Sequence, residues 1–129
     1  MSEKKILELE YPVKASASML YPFLSTPSGL SEWFCEDVNS RGEIFEFIWE
    51  GSEETARLLM KKNDRFIRFR WLADEEAGDK SYFEFRIVVD ELTNDTSLIV
   101  LDHVLPEDEE ETRLLWHSQV QQLLHVVGS

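Results

Sequence analysis

Pro106-Glu-Asp-Glu-Glu-Glu111, running into Thr112-Arg-Leu-Leu-Trp-His-Ser-Gln-Val-Gln-Gln-Leu-Leu-His-Val-Val127, is the stretch that decides the fold. Acidic side chains at a helix start are favoured by the positive end of the helix dipole. Proline can open a helix but cannot sit inside one without cost. Trp116, Val120, Leu123, Leu124 and Val127 then recur at three- and four-residue steps, which makes one apolar stripe. The spacing predicts a helix over about Glu109 to Val127, about 28 Å long. A ten-residue strand is about 33 Å long, so this helix can lie along a whole sheet.

Upstream the pattern has period two. Lys5 to Val13 reads as a first strand, with Pro12 marking an edge or a strand end. Ser16 to Leu24 reads as a short helix carrying Met19, Leu20, Phe23 and Leu24. Pro22 fits it if Ser18 is the cap and Pro22 lies in the first turn; otherwise the helix is kinked. Thr26-Pro27 opens a second short helix, a capping hydroxyl before proline at the first helical position, and that helix carries Leu30, Trp33 and Phe34. Five strands follow, built on Phe45/Phe47/Trp49, Ala56/Leu58/Met60, Ile67/Phe69/Trp71, Phe83/Phe85/Ile87/Val89 and Leu98/Val100/Asp102/Val104. The connectors, Gly51 to Glu54, Lys62 to Asp64, roughly Ala73 to Asp79 and Glu91 to Asp95, are too short for parallel crossovers. The strands therefore form an antiparallel meander, in the order β-α-α-β-β-β-β-β-α.

Composition bounds the partners. A chain of 129 residues makes one ordinary domain. Hydrophobic residues are 43% of it, enough for a core without staples. Twenty-six acids against thirteen bases give a formal charge of −13. Phosphate backbones need clustered Lys and Arg, so neither nucleic acid nor an anionic membrane surface is expected as a partner. No apolar run reaches the ~20 residues of a membrane span, so membrane insertion is not expected either. The single cysteine, Cys35, excludes an internal disulfide and fits a reducing compartment. With no apolar leader after Met-Ser-Glu-Lys-Lys, a cytoplasmic location is expected.

That element order, with these residues, resembles the START-like superfamily (SRPBCC, the helix-grip fold), and within it the Aha-type branch related to heat-shock-protein ATPase activators. Tyr21-Pro-Phe-Leu-Ser-Thr-Pro-Ser-Gly-Leu-Ser-Glu-Trp-Phe34 is similar to the family's helix pair ending in Trp-Phe. Gly42 with Phe45, Phe47 and Trp49 is similar to its glycine-started aromatic strand, and Phe69-Arg70-Trp71 and Thr96-Ser-Leu98 to its later strands. Leu115-Trp116 before Val120 and Leu123 is similar to the start of its gripping helix. Pro22 and Leu115, the latter where glycine is common, depart from the pattern. The resemblance implies an α+β, START-like domain over residues 1–129. Its sheet would be six- to seven-stranded, curved and antiparallel, with two short helices after strand one and the long C-terminal helix across the concave face.

The resemblance also implies a ligand: a hydrophobic or amphipathic small molecule, or a lipid, between sheet and helix. Trp49, Phe69, Trp71, Phe85 and Trp116 are the expected wall residues, with Trp33 and Phe34 at the rim. The competing reading is core filling, since large rings on one face leave little void. A second implied function is a protein-interaction module of the Aha type, using its outer surface on a chaperone partner. Phe66, Ile44 and Ile48, opposite the inward parity, would instead serve a homodimer. A third is a cyclase or dehydratase, which needs an inward polar pair such as His103 or Asp102 with Tyr82. Alternation alone leaves open which of Asp102 and His103 faces inward. No catalytic residue is assigned, because no serine elbow and no glycine-rich phosphate cradle occurs. No cofactor is implied. No metal site is expected, because His103, His117 and His125 lack helical four-residue spacing. Arg57, Arg68, Arg70 and Arg86, with Glu46 and Glu84, are expected to form an ion-pair lattice on the convex face.

Overall fold

The computed structural model describes residues 3–128. β1 (Lys5–Val13) is followed by α1 (Ala17–Ser25) and α2 (Pro27–Leu30). Then come β2 (Asp37–Arg41), β3 (Ile44–Trp49), β4 (Ser52–Lys62), β5 (Phe66–Trp71), α3 (Leu72–Glu76), β6 (Phe83–Val89), β7 (Thr96–Val104) and α4 (Glu109–Val126). A single 3₁₀ turn over Pro106–Asp108 leads into α4. The strands form one antiparallel sheet in the order β1-β7-β6-β5-β4-β3-β2. Successive strands from β2 to β7 are hairpin neighbours, and β1 closes the far side against β7. The α+β helix-grip expectation holds.

The concave face is set by alternation. Leu7, Leu9, Tyr11 and Val13 of β1 are buried, as are Phe45 and Phe47 of β3, Ile67 and Phe69 of β5, Phe83, Phe85 and Ile87 of β6, and Leu98 and Val100 of β7. Trp116, Val120 and Leu123 of α4 pack onto them, while Leu124 and Val127 of the same stripe are half-buried. The main backbone approach of α4 to the sheet is at β1. There Tyr11 Oη and His117 Nδ1 hydrogen-bond at 2.5 Å, and Lys5 pairs with Glu109.

Several boundaries differ from the sequence reading. The meander contains an additional strand, β2. Its sequence Asp-Val-Asn-Ser-Arg buries only Val38, because it is an edge strand that reaches the core at that one side chain. Gly42 does not begin β3. It sits in the two-residue turn that joins β2 to β3, with φ of 61°, a conformation glycine adopts without cost. The residues read as a loop after Trp71 include α3. The cap of α1 is Ser16 and not Ser18, its hydroxyl accepting from Met19 N at 3.2 Å. Pro22 is therefore inside α1, past the first turn. Thr26 caps α2 as expected, through Gly29 N at 3.0 Å. α2 ends at Leu30, however, so Trp33 and Phe34 lie in the turn that follows it. Met60, assigned inward by alternation, is 54% exposed. The register shifts between Leu58 and Met60, and this bulge reverses the side-chain parity of the rest of β4.

The convex lattice forms only in part. Arg68 Nε and Arg86 Nε bind Glu84 Oε1 and Oε2 at 2.7 and 2.8 Å. Arg68 also lies over the Tyr82 ring, and Arg86 over the Phe66 ring. Together these cover Glu84 completely. Arg57 pairs with Glu75 of α3 instead of a strand acid, and Arg70 donates to the carbonyls of Ser81 and Lys80.

Candidate functional site

Five segments bring their rings to one place. β3, β5 and β6 present Phe47, Trp49, Phe69, Trp71, Phe83 and Phe85. The turn after α2 presents Trp33 and Phe34, and α4 presents Trp116. Phe34 is the hub: it stacks on Trp116 at 5.8 Å and meets Phe47 edge-on at 5.1 Å. Phe69 and Phe85 are fully buried, and Trp33, Phe34 and Trp116 nearly so. These five expected site residues fill the grip. Trp49 and Trp71, from β3 and β5, are the two that remain half-buried, with ring centroids 6.4 Å apart.

Each buried indole is anchored. Trp33 Nε1 donates to the Phe23 carbonyl at 2.7 Å. Trp116 Nε1 donates to Asp102 Oδ2 at 2.9 Å. The Phe34 carbonyl accepts from both Trp49 Nε1 at 2.9 Å and Gln119 Nε2 at 3.1 Å. One carbonyl therefore ties the turn after α2 to β3 and to α4.

A recess opens on each side of the Trp49–Trp71 pair. The first, about 440 Å³, is mainly apolar; its wall includes Trp33, Phe34, Trp49 and Leu115, with Glu32 and Glu36 also bordering it. Leu115 is 59% exposed there. The second, about 390 Å³, is polar and is lined by residues including Lys4, Trp71, Asp74, Tyr82, Asp102 and His103. Thr112 of α4 borders the polar recess and Gln122 the apolar one. The two recesses thus lie along about 15 Å of one helix.

The polar recess resolves the alternative at β7. Asp102 faces the concave side beneath α4, while the His103 ring meets Tyr82 at 4.5 Å, with Nδ1 2.9 Å from the Tyr82 carbonyl. At the strand ends the recess reaches both faces, so Tyr82, Asp102 and His103 all border it. Asp102 Oδ1 also accepts from His103 N at 2.8 Å. Burial pushes the Asp102 carboxyl above the usual carboxylate range, against these hydrogen bonds, which act to lower it. At the rim, Lys4 Nζ lies 2.7 Å from Asp79 and 3.9 Å from Asp74. Leu115 was noted in the sequence only as a departure from the family pattern, and Gln119, Lys4 and Asp74 were not singled out. Leu115 and Gln119 flank Trp116 at −1 and +3, and that spacing is the signal that placed them beside the grip. Among the described residues no group of His, Cys, Asp and Glu is arranged to hold a metal.

A family model described as a START-like superfamily domain matches residues 1–129. Among proteins of curated function, none matches. Solved structures do. BfR322 of Bacteroides fragilis is 31% identical over 96% of this chain and 91% of its own, with a TM-score of 0.69. The Aha1 dimer of Colwellia psychrerythraea is 17% identical over 95% of this chain and 92% of its own, with a TM-score of 0.74. DynU16, a protein of the dynemicin biosynthetic locus, is 12% identical over 96% of this chain and 47% of its own, with a TM-score of 0.76. The last two likenesses are likenesses of fold.

Proposed function

The chain belongs to the START-like superfamily, and on that footing we propose that it binds a small amphipathic molecule in the cleft between α4 and the β3–β5 side of the sheet, in a reducing, cytoplasmic setting. The observation that carries this reading is the Trp49–Trp71 pair. Neighbouring rings of the concave face are buried, whereas these two adjacent tryptophans keep exposed surface between an apolar and a polar recess. A ligand site of this kind combines apolar walls with a few placed polar groups. Trp49, Trp33, Phe34 and Leu115 would hold the hydrocarbon part, and Trp71 the boundary. Phe69, Phe85 and Trp116 would form the wall behind them. The packed rings leave the apolar part of the ligand to lie along α4 instead of deep beneath it.

The reading is tested by calorimetric titration with dodecyl amphiphiles and aromatic metabolites. Saturable heat is expected from at least one amphiphile, weakened about tenfold in Leu115→Asp, which removes apolar contact at an exposed position without disturbing the core. Absence of saturable binding across the panel, or binding indifferent to Leu115→Asp and to Trp49→Ala, would overturn it.

One observation favours a second reading, a protein-interaction module. Among the described residues only the short α3, through Glu75 and Arg57, reaches the edge of the convex face, which leaves Met60, Phe66, Tyr82, Arg68 and Arg86 without a covering helix. Aromatic residues, methionine and arginine are the types enriched at interfaces. Either a chaperone or a second copy of the chain would fit there. Sedimentation of the purified protein and recovery of a chaperone from native extract, each with and without Met60→Asp, separate the two. A monomer that recovers no chaperone removes this reading.

A further inference from the structure

Resting on the proposed amphiphile cleft, we infer that the polar recess at its end selects a cationic head group, an organic ammonium, held by Asp102 and the face of Trp71. Three carboxylates border the recess, those of Asp74, Asp102 and Asp108, against one ammonium, that of Lys4. Lys4 is already committed to Asp79 and Asp74, so it is not free to receive an anionic head. Asp102 accepts one hydrogen bond on each oxygen, from Trp116 Nε1 and from the backbone N–H of His103. A carboxylate offers about four acceptor positions, which leaves it able to take an ammonium N–H. Its neighbours donate hydrogen bonds and none forms an ion pair with it among the described residues.

The aromatic wall fits the same guest. Trp71 is half-buried and is backed by Phe83, with ring centroids 4.8 Å apart. Trp71 borders the recess that holds the carboxylates. A cation over an indole face is attracted by the ring quadrupole, the more so when partly desolvated. An anionic head would face the same ring and three like charges. Lys4 already acts on the half-buried Asp102 carboxylate at longer range, and a neutral hydroxyl would add no further counter-charge to it. The formal charge of −13 over the whole chain adds a long-range field of the same sign.

The experiment uses three probes with one tail: dodecylamine, dodecanol and dodecanoate, each below its micelle concentration, in 0.15 M salt. Calorimetry is expected to rank the amine about tenfold tighter than the alcohol, with the carboxylate weakest. Asp102→Asn is expected to bring the amine down to the level of the alcohol and to leave the alcohol unchanged. Asp102→Asn can retain the bond from Trp116, and its circular dichroism and urea midpoint check the fold. Should it unfold, Trp71→Leu is expected to show the same loss of preference. Glu91→Gln, an exposed acid in the β6–β7 turn at the opposite end of β7 from Asp102, is expected to leave the ranking intact, which separates the recess from the net charge. Equal binding of amine and alcohol, or tightest binding of the carboxylate, overturns the head-group inference and leaves the cleft standing. Failure of all three probes overturns the cleft and the inference together.

Discussion

Cys35 is buried beside the apolar recess, and burial pushes its thiol up to about 11. Thiolate is the reactive form, so alkylation should be slow. At pH 8.5, iodoacetamide labelling of the native protein is expected to be about a hundredfold slower than in urea, read by mass spectrometry. Equal rates would show that the turn after α2 opens readily. The sign of the pH effect follows. The folded-state value lies above the unfolded one, so this contribution to stability is whole below about pH 9 and is lost as pH rises toward 11. Glu84 makes a different point. It is fully buried although it faces the convex side, because Arg68 and Arg86 lie across it. Alternation grouped it with four arginines, of which only Arg68 and Arg86 reach it, and gave no hint of its burial, which comes from two guanidiniums folded over aromatic rings. Glu84→Gln keeps the shape and removes the charge. It is expected to cost about 2 kcal/mol, seen as a lower urea midpoint, with most of the loss recovered when Arg68 is also replaced by Met.

At the junction of α1 and α2 the two backbones approach closely. A Cβ at Gly29 would lie 2.1 Å from the Pro22 carbonyl oxygen and 2.6 Å from Phe23 Cα. Both atoms are backbone, so neither can yield without moving α1. Gly29→Ala is expected to lower stability by about 3 kcal/mol, whereas Gly51→Ala, whose cost is its φ of 78° with open space around it, should cost about 1 kcal/mol. Thermal melts distinguish the two. Elements with strong period were legible from sequence: β1, β3, β5, β6, β7 and α4 fall within a few residues of their expected limits. The misses share a cause. β2 is an edge strand with one buried side chain, so it has no alternation to read. The bulge in β4 is set by pairing with β5 and leaves no mark in a run of Leu58, Leu59 and Met60. α3 follows a strand directly and buries nothing, so no stripe announces it.

At the scale of the molecule, strand parity placed Trp49, Phe69, Trp71 and Phe85 on the concave face and the helix stripe placed Trp116 against it, whereas Trp33 and Phe34, expected at the rim on the second helix, lie buried in the turn after α2. The recesses beside them were not legible, since a cleft depends on where α4 lies across the sheet, and that is fixed by tertiary contacts such as Tyr11 with His117 and Trp116 with Asp102. The Lys4–Asp79 pair joins the start of β1 to the segment before β6 at the mouth of the polar recess. Hydrogen bonds from Lys4 and Ser81 hold the Asp79 carboxyl well below the usual carboxylate range. A group depressed on folding contributes stability above its unfolded value and loses it as pH falls through the folded one. The stability difference between the wild-type protein and Asp79→Asn is therefore expected to be constant near neutrality and to close below about pH 4. Denaturant titrations at pH 7, 5 and 3 read this directly; a difference that widens in acid would contradict it.

The pairing of β1 with β7 carries a consequence for how the chain is made. Leu9 finds its backbone partner in Val100, and the hairpins linking β2 through β6 can close before that partner has been synthesised. The earliest strand is thus the last to be zipped, and its oily side stays wet until α4 arrives to shelter it. Joining ends so far apart in sequence is entropically slow, so nascent chains halted before Thr96 should present an unzipped β1 to whatever binds newly made polypeptide.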